Sequence, residues 1–407
     1  LAAHGTRAEL SSNFIRAACV VTATDARVSP VLLWSLTIAL TLAVIEAASY
    51  GMVHVLASKA AVYSPPQLRD VERYLRARDP VLGWPSPQSH GGKPFDRSGA
   101  RVLPAFPEPA NACVAAYGDS FVFADEVDDA AAWTNQLALS LGCRVANFGV
   151  NGYGTDQAYL RMSATKSDES RHLVLGVFTH DIVRNVNQLR NLLAPTDEIG
   201  LKPRYVIDEH DDMQLLVLPD FAGSQFADVM RFPEKYLPHD YFVPGGPAGV
   251  VRAEFPFTLA VARSLTSYKL AALLRGRSPY EAFYEPRHPS MALDITARLC
   301  GKFASDAAAR GKTALVVMFP SRQDLEQFAA TGRWIYQPLL DRLGADGQPT
   351  LNLGPALLAA LGEREPAALF KILHYNEEGN RVVAAAVERA LGATSTTASH
   401  PHTSTRP

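Results

Sequence analysis

The sequence predicts an α/β protein whose parallel sheet is covered by helices on both faces. Three short apolar runs, at 114–117, 144–149 and 173–178, read as buried strands, and each stops at a cluster of glycine and polar residues. Helical stretches at 133–141 and near 156–165 separate them. Strands that alternate with helices require right-handed crossovers, which make the sheet parallel and bury it on both sides. The carboxyl edge, where ligands bind in such sheets, is then built from the three strand ends.

Ser120 stands at the first of those ends, in Tyr117-Gly118-Asp119-Ser120-Phe121. A helix beginning there offers unpaired N–H groups able to hold an anion. Gly-Asp-Ser alone is a weak signal, and its context is stronger. The second strand runs into Gly149-Val150-Asn151-Gly152-Tyr153-Gly154, and the third stops at Thr179-His180-Asp181. Near the end, Leu373-His374-Tyr375-Asn376-Glu377-Glu378-Gly379-Asn380 precedes a helical run of Val and Ala.

This constellation resembles the SGNH (GDSL-type) hydrolase superfamily over roughly residues 110–390, and is most similar to bacterial envelope members with an N-terminal membrane anchor. Gly118-Asp119-Ser120 matches the first block, Gly149 the second and His374 the last. Two blocks depart from the pattern. His180 stands where the family has asparagine and Phe178 where it often has glycine, while Lys371 and Ile372 occupy the positions that usually hold an acid before the histidine. The resemblance implies a three-layer α/β/α sandwich of the flavodoxin-like kind. It also implies an ester hydrolase or acyltransferase acting on an acylated carbohydrate or another small ester, most plausibly acetyl groups of an envelope or exported polysaccharide.

The chemistry accounts for these residue types. A serine hydroxyl is a poor nucleophile at neutral pH, so His374 takes the proton of Ser120 and later returns it to the leaving oxygen. Donors fixed in advance stabilise the tetrahedral oxyanion, and the expected ones are Ser120 N–H, Gly149 N–H and the His180 ring. Without an acid before His374, the site is either a Ser-His dyad or receives its acid from elsewhere. Asp119, Asn151, Tyr153, Asp181 and Arg184 are candidate substrate contacts. Each has a structural alternative: Asp119 a helix cap, Asn151 a loop brace, Tyr153 a core aromatic, Asp181 and Arg184 an ion pair. Asp125 and Glu126 either line the mouth or are solvated loop acids. Two rivals to the acetyl-ester reading are a non-catalytic carbohydrate-binding protein and a short-chain lipid esterase.

Other classes fit worse. There is no Gly-x-Ser-x-Gly elbow, no dinucleotide fingerprint and no phosphate loop, and no His-x-x-x-His pair suggests zinc, so neither metal nor cofactor is expected. A net charge of −2 over 407 residues gives no electrostatic case for nucleic acid.

The remaining segments frame this domain. Residues 1–28 read as a flexible leader, and 29–57 as a transmembrane anchor whose apolar run is interrupted by Glu46 and His54. Residues 58–110 read as a stalk and belt, 111–392 as the hydrolase-like domain and 393–407 as a disordered tail. Within the domain, 197–295 reads as an insertion over the catalytic edge, opening with a hairpin of 203–208 and 214–218. A helix at 292–310, a strand at 313–319 and a short strand at 350–353 resume the parallel order. Lys and Arg flank the apolar run on both sides, so charge leaves its orientation open. The anchored relatives place the catalytic domain outside the inner membrane. Cys113 and Cys143 begin adjacent strands, where they are either a disulfide or two buried thiols, and Cys19 and Cys300 have no evident partner.

Overall fold

In the computed structural model, which describes residues 29–87, 93–108, 111–165 and 169–397, five parallel strands form one sheet. The first three are β1 (Ala112–Gly118), β2 (Arg144–Gly149) and β3 (His172–Phe178). An antiparallel hairpin, β4 (Arg204–Ile207) and β5 (Met213–Leu216), follows apart from the sheet, and β6 (Thr313–Phe319) and β7 (Thr350–Asn352) complete it. The spatial order is β2-β1-β3-β6-β7. That is the flavodoxin-like order, in which the chain leaves β1 toward one side and returns across it to β3, opening a crevice at the carboxyl ends of those two strands. Val114, Ala115, Ala116 and Tyr117 of β1 are fully buried. Both faces of the strand are covered, which is why it reads as a continuous apolar run rather than an alternating one.

The described residues form fifteen α-helices. The first six are α1 (Pro30–Ser58), α2 (Val71–Ala77), α3 (Ser120–Phe123), α4 (Trp133–Leu141), α5 (Thr155–Ala164) and α6 (Asp181–Arg184). Four short ones, α7 (Phe226–Arg231), α8 (Pro233–Tyr236), α9 (Phe257–Ser264) and α10 (Tyr268–Leu274), fill the insertion. The rest are α11 (Ala292–Ala309), α12 (Arg322–Thr331), α13 (Gln337–Ala345), α14 (Gly354–Leu361) and α15 (Glu377–Thr397). Helices α4 and α15 pack together on one face of the sheet, and α5 and α11 on the other. A three-layer sandwich results.

The belt is bonded to this body. Arg101 N–H donates to the Asn147 carbonyl at 2.9 Å, adding an antiparallel bridge to β2, which is the edge strand of the sheet. The segment expected to be a stalk is packed as well: Tyr63 is buried, and its hydroxyl donates to the Met230 carbonyl at 2.6 Å. A disulfide joins Cys113 to Cys143 with Cα atoms 6.0 Å apart, as the pairing of β1 beside β2 allows. Cys300 is a buried free thiol, and Cys19 lies outside the described residues.

The chain separates into two compact units, Leu1–Ala48 and Ser49–Pro407. In the first, the described residues form most of α1, a helix long and apolar enough to cross a membrane. Two of its hydroxyls are satisfied within the helix, Thr37 donating to the Leu33 carbonyl at 2.9 Å and Thr41 to that of Thr37 at 2.8 Å, which suits a segment denied water. The end of α1 belongs to the second unit, where Val53 is buried with Val62 and Ala260. The expected leader, 1–28, lies outside the described residues, as does 398–407 of the expected tail. Residues 393–397, expected to belong to the disordered tail, are the last turn of α15.

Candidate active site

The site is assembled from α3 outward. After β1 ends at Gly118, the Asp119 carboxylate accepts the Phe121 N–H at 2.9 Å and starts α3 at Ser120. This single turn lies hard against the strand ends. A Cβ on Gly149 would stand 2.2 Å from the Phe123 nitrogen, and one on Gly176 2.2 Å from Val122 Cγ2, so only glycine admits α3 this close. Polar side chains hold the turn from behind. Asn147 Nδ2 donates to the Val122 carbonyl and to Thr134 Oγ1, each at 2.9 Å, and the Arg101 guanidinium donates to the carbonyls of Phe123 and Ala124. Ala124 (φ 59°) and Glu126 (φ 67°) then adopt left-handed backbone, which reverses the chain.

That reversal delivers a carboxylate to the serine's own histidine. Ser120 Oγ lies 2.8 Å from His374 Nε2, and His374 Nδ1 lies 2.9 Å from Glu126 Oε1. With the imidazole proton on Nδ1, held by the carboxylate, the Nε2 lone pair accepts the serine hydroxyl. Glu126 is itself fixed by the loop it faces, accepting N–H groups of Ile372 (2.8 Å), Leu373 (3.1 Å) and His374 (3.3 Å) at Oε2. Its partial burial pushes the carboxyl pKa up, but the hydrogen bonds from the His374 ring and from these three amides outweigh that and hold it below the ordinary glutamate value. The carboxylate therefore stays ionised through the neutral range. On the other side, the ring packs against Phe121 with centroids 4.9 Å apart, and Tyr375 is pinned by its hydroxyl to the Pro320 carbonyl at 2.6 Å.

The loop before His374 thus does something other than supply an acid. Lys371 N–H closes a turn onto the His374 carbonyl at 2.9 Å, and the Lys371 ammonium pairs with Glu377 at 2.7 Å. Its amides bind the acid that Glu126 brings.

Several expected contacts sit elsewhere. Gly149 N–H donates to Asn147 Oδ1 at 3.0 Å, so this amide is engaged inside the fold and does not face an oxyanion. Asp119, Asp181 and Arg184 are buried in one brace: Arg184 Nη1 lies 2.9 Å from Asp119 Oδ2, 2.9 Å from Asp181 Oδ1 and 2.8 Å from the Tyr153 carbonyl. Asp181 also accepts Phe178 N–H at 3.0 Å. Burial, then the nearby Asp119, push the Asp181 carboxyl upward by more than Arg184 pulls it down. The brace ties the ends of β1 and β3 to the loop after β2, and these three side chains are corrected from substrate contacts to supports. Tyr153 is corrected likewise, because its ring is wholly buried and has no face for a sugar. Asn151 remains at the surface, its amide donating to Asp125 Oδ2 at 2.9 Å.

His180 lies just past β3, its half-buried ring 4.4 Å from Phe178 and 3.8 Å from Tyr280 between centroids. Burial and the charges of Arg184, Arg190 and Lys269 push its pKa well down, leaving a neutral imidazole with one N–H donor at pH 7. The insertion covers this corner, as Tyr284 donates its hydroxyl to the Thr179 carbonyl at 2.7 Å.

By sequence Glu126 is either an acid of the mouth or a solvated loop acid, and neither Asn147 nor Arg101 stands out as a support of α3. The available signal was paired: an acid six residues after the serine, and none before the histidine.

No family model matches the chain, and no curated protein matches it. Solved structures do. The chain is similar to G-D-S-L lipolytic proteins. A proposed lipolytic protein of that family from Desulfitobacterium hafniense DCB-2 is 12% identical with a TM-score of 0.33, over 69% of this chain and 99% of its own. A family member from Veillonella parvula DSM 2008 is 13% identical at 0.33, over 68% and 96%. A proposed acylhydrolase from Bacteroides fragilis NCTC 9343 is 11% identical at 0.33, over 69% and 86%.

Proposed function

We propose that the protein is a serine esterase or O-acyltransferase of the SGNH type, working through an acyl-enzyme. The observation that carries this reading is the continuous chain from Ser120 Oγ through the His374 ring to the Glu126 carboxylate. His374 Nε2 takes the hydroxyl proton as Ser120 Oγ attacks the ester carbonyl, and Glu126 stabilises the imidazolium that forms. The proton passes to the departing alcohol, leaving acyl-Ser120. Water then yields hydrolysis, or a sugar hydroxyl yields transfer, by the same steps in reverse.

The oxyanion falls to amides not engaged in the fold. Ser120 N–H is one. With Gly149 committed to Asn147, the second is Gly152 N–H, on the same loop at the carboxyl end of β2, in left-handed backbone (φ 83°) and without a hydrogen-bond acceptor among the described residues. The neutral His180 ring is a third donor. Each is worth about 3 kcal/mol of transition-state stabilisation. No cofactor is needed for this chemistry.

Acetyl esters of an envelope or exported polysaccharide are the proposed substrates, on the family resemblance. The disulfide supports an oxidising compartment and α1 a membrane anchor, together favouring an extracytoplasmic catalytic domain. Hydrolysis of p-nitrophenyl acetate by the full-length protein in detergent, compared with Ser120→Ala, tests the enzyme reading. Equal rates would replace it with a non-catalytic carbohydrate-binding role.

A further inference from the structure

A cavity of about 510 Å³ opens at the loop after β2, and Arg190 is among the residues of its wall. Asn151 and Gly152 form one side, and Asn151 is bonded to Asp125, the neighbour of Glu126. Trp84 forms another, its half-buried ring standing 3.4 Å from where a Cβ of Gly152 would be, so the absence of that carbon leaves the indole unobstructed there. Gln157 holds the Trp84 carbonyl at 3.0 Å, which fixes the backbone beneath it. An indole plate beside polar groups is a common surface for a sugar ring.

Arg190 also lines this cavity, and no acceptor among the described residues takes its guanidinium. Its charged neighbours are the cations Arg184 and Lys269 on one side and the carboxylates of Asp181 and Asp119 on the other. Burial, then Arg184, pull its pKa down to about 10, and Lys269 beyond it is pushed down to about 8 by burial and by Arg190. The two carboxylates that act on it, Asp181 and Asp119, are bonded to Arg184. Of the acids on the cavity wall, Asp70 caps α2, Asp197 pairs with Arg69, and Glu198 is exposed to solvent. A half-buried guanidinium with no acceptor on the described protein presents its N–H fork to the cavity, where a bound anion can take it.

A second cavity of about 800 Å³ shares Leu68, Arg69 and Asp197 with the first, so the two form a run longer than one sugar unit. We propose that the cavity at the loop after β2 is a subsite for an anionic sugar of a glycan chain, its carboxylate or phosphate held by Arg190 and its ring laid on Trp84. This inference rests on the esterase reading and narrows its substrate to acidic glycans. A guanidinium fork matches either anion.

Calorimetric titration of the full-length protein with oligogalacturonate, glucose 1-phosphate and a neutral galacto-oligosaccharide tests it. At least one of the two anionic ligands should bind about tenfold or more tighter than the neutral one, the worth of a charge-assisted hydrogen bond, and which one does identifies the anion. Arg190→Gln should erase the preference, while Arg190→Lys, which keeps the charge but loses the fork, should retain it at reduced affinity. Should Arg190→Gln not fold, the wild-type preference and Arg190→Lys decide. Equal or tighter binding of the neutral oligosaccharide, no binding of any ligand, or wild-type anion binding by folded Arg190→Gln would overturn the proposal. Turnover of p-nitrophenyl acetate by the same preparation separates the two readings: an active enzyme with no anion preference sinks only the subsite, and anion binding by an inactive protein sinks only the esterase.

Discussion

The Glu126 carboxylate lies 2.9 Å from Nδ1 of His374, a contact that spans 248 positions of sequence and joins the loop after the serine to the loop before the last helix. Serine, acid and base therefore come from two segments only. Glu126→Gln should lower kcat for p-nitrophenyl acetate by roughly a hundredfold to ten-thousandfold, since an amide cannot stabilise the imidazolium and can favour the wrong tautomer. Lys371→Ala should change kcat less than about threefold, because an exposed ion pair contributes little. A Glu126→Gln enzyme with wild-type kcat would remove Glu126 from the triad.

The pH dependence of this contact has a definite sign. The carboxyl pKa of Glu126 is lower in the folded protein than in the unfolded chain, so its contribution to stability is complete above the unfolded value of about 4.3 and disappears as pH falls through the lower folded value. Thermal melts of wild type and Glu126→Gln should differ most near neutrality and converge in the acid range below about pH 4. A gap that widens on acidification would contradict the assigned direction.

Gly149 acts through shape. Gly149→Ala places a methyl 2.2 Å from the Phe123 nitrogen and must displace the turn carrying Ser120, at a cost of about 1–3 kcal/mol, with a loss of activity alongside the lower Tm. Gly301→Ala, in α11 with nothing near its Cβ position, is the control and should hold or raise Tm. Equal melting of the two variants would show that α3 is not held as closely as described.

Loss of the disulfide should separate stability from activity. The bridge sits at the start of β1 and Ser120 beyond its end. Replacing Cys113 and Cys143 by alanine should cost about 3 kcal/mol, given the 30-residue separation, while esterase activity at low temperature persists. Unchanged denaturation midpoints with and without dithiothreitol would argue against the bridge.

Membrane attachment is tested by where the chain is cut. The full-length protein should stay with membranes through a carbonate wash, and a chain starting at Ser49 should be released yet keep its fold, because Val53 with Val62 and Ala260 is retained. A chain starting at Lys59 loses Val53 and should melt lower. Release of the full-length protein would overturn the anchor.

Local pattern was enough for the strands at 114–117, 144–149 and 173–178, the helix at 133–141 and the hairpin after 203, because burial on two faces or alternation on one is written into consecutive residues. It was enough, too, to single out Ser120 and His374. It was not enough for the polar residues around them. Asp119, Asp181, Arg184 and Tyr153 have the composition of a binding surface, and whether such groups meet solvent or one another depends on which strand ends are neighbours.

Residue order alone dictates a parallel α/β sheet that carries Ser120 to its ligand-binding edge, since apolar runs of strand length separated by helices allow few other arrangements. Folding in three dimensions settles that Glu126 completes the set with His374, that Gly149 spends its amide on Asn147, and that no acceptor among the described residues takes the Arg190 guanidinium. Each of those outcomes depends on distances between segments far apart in the chain, which the order of residues constrains only through the packing of the whole.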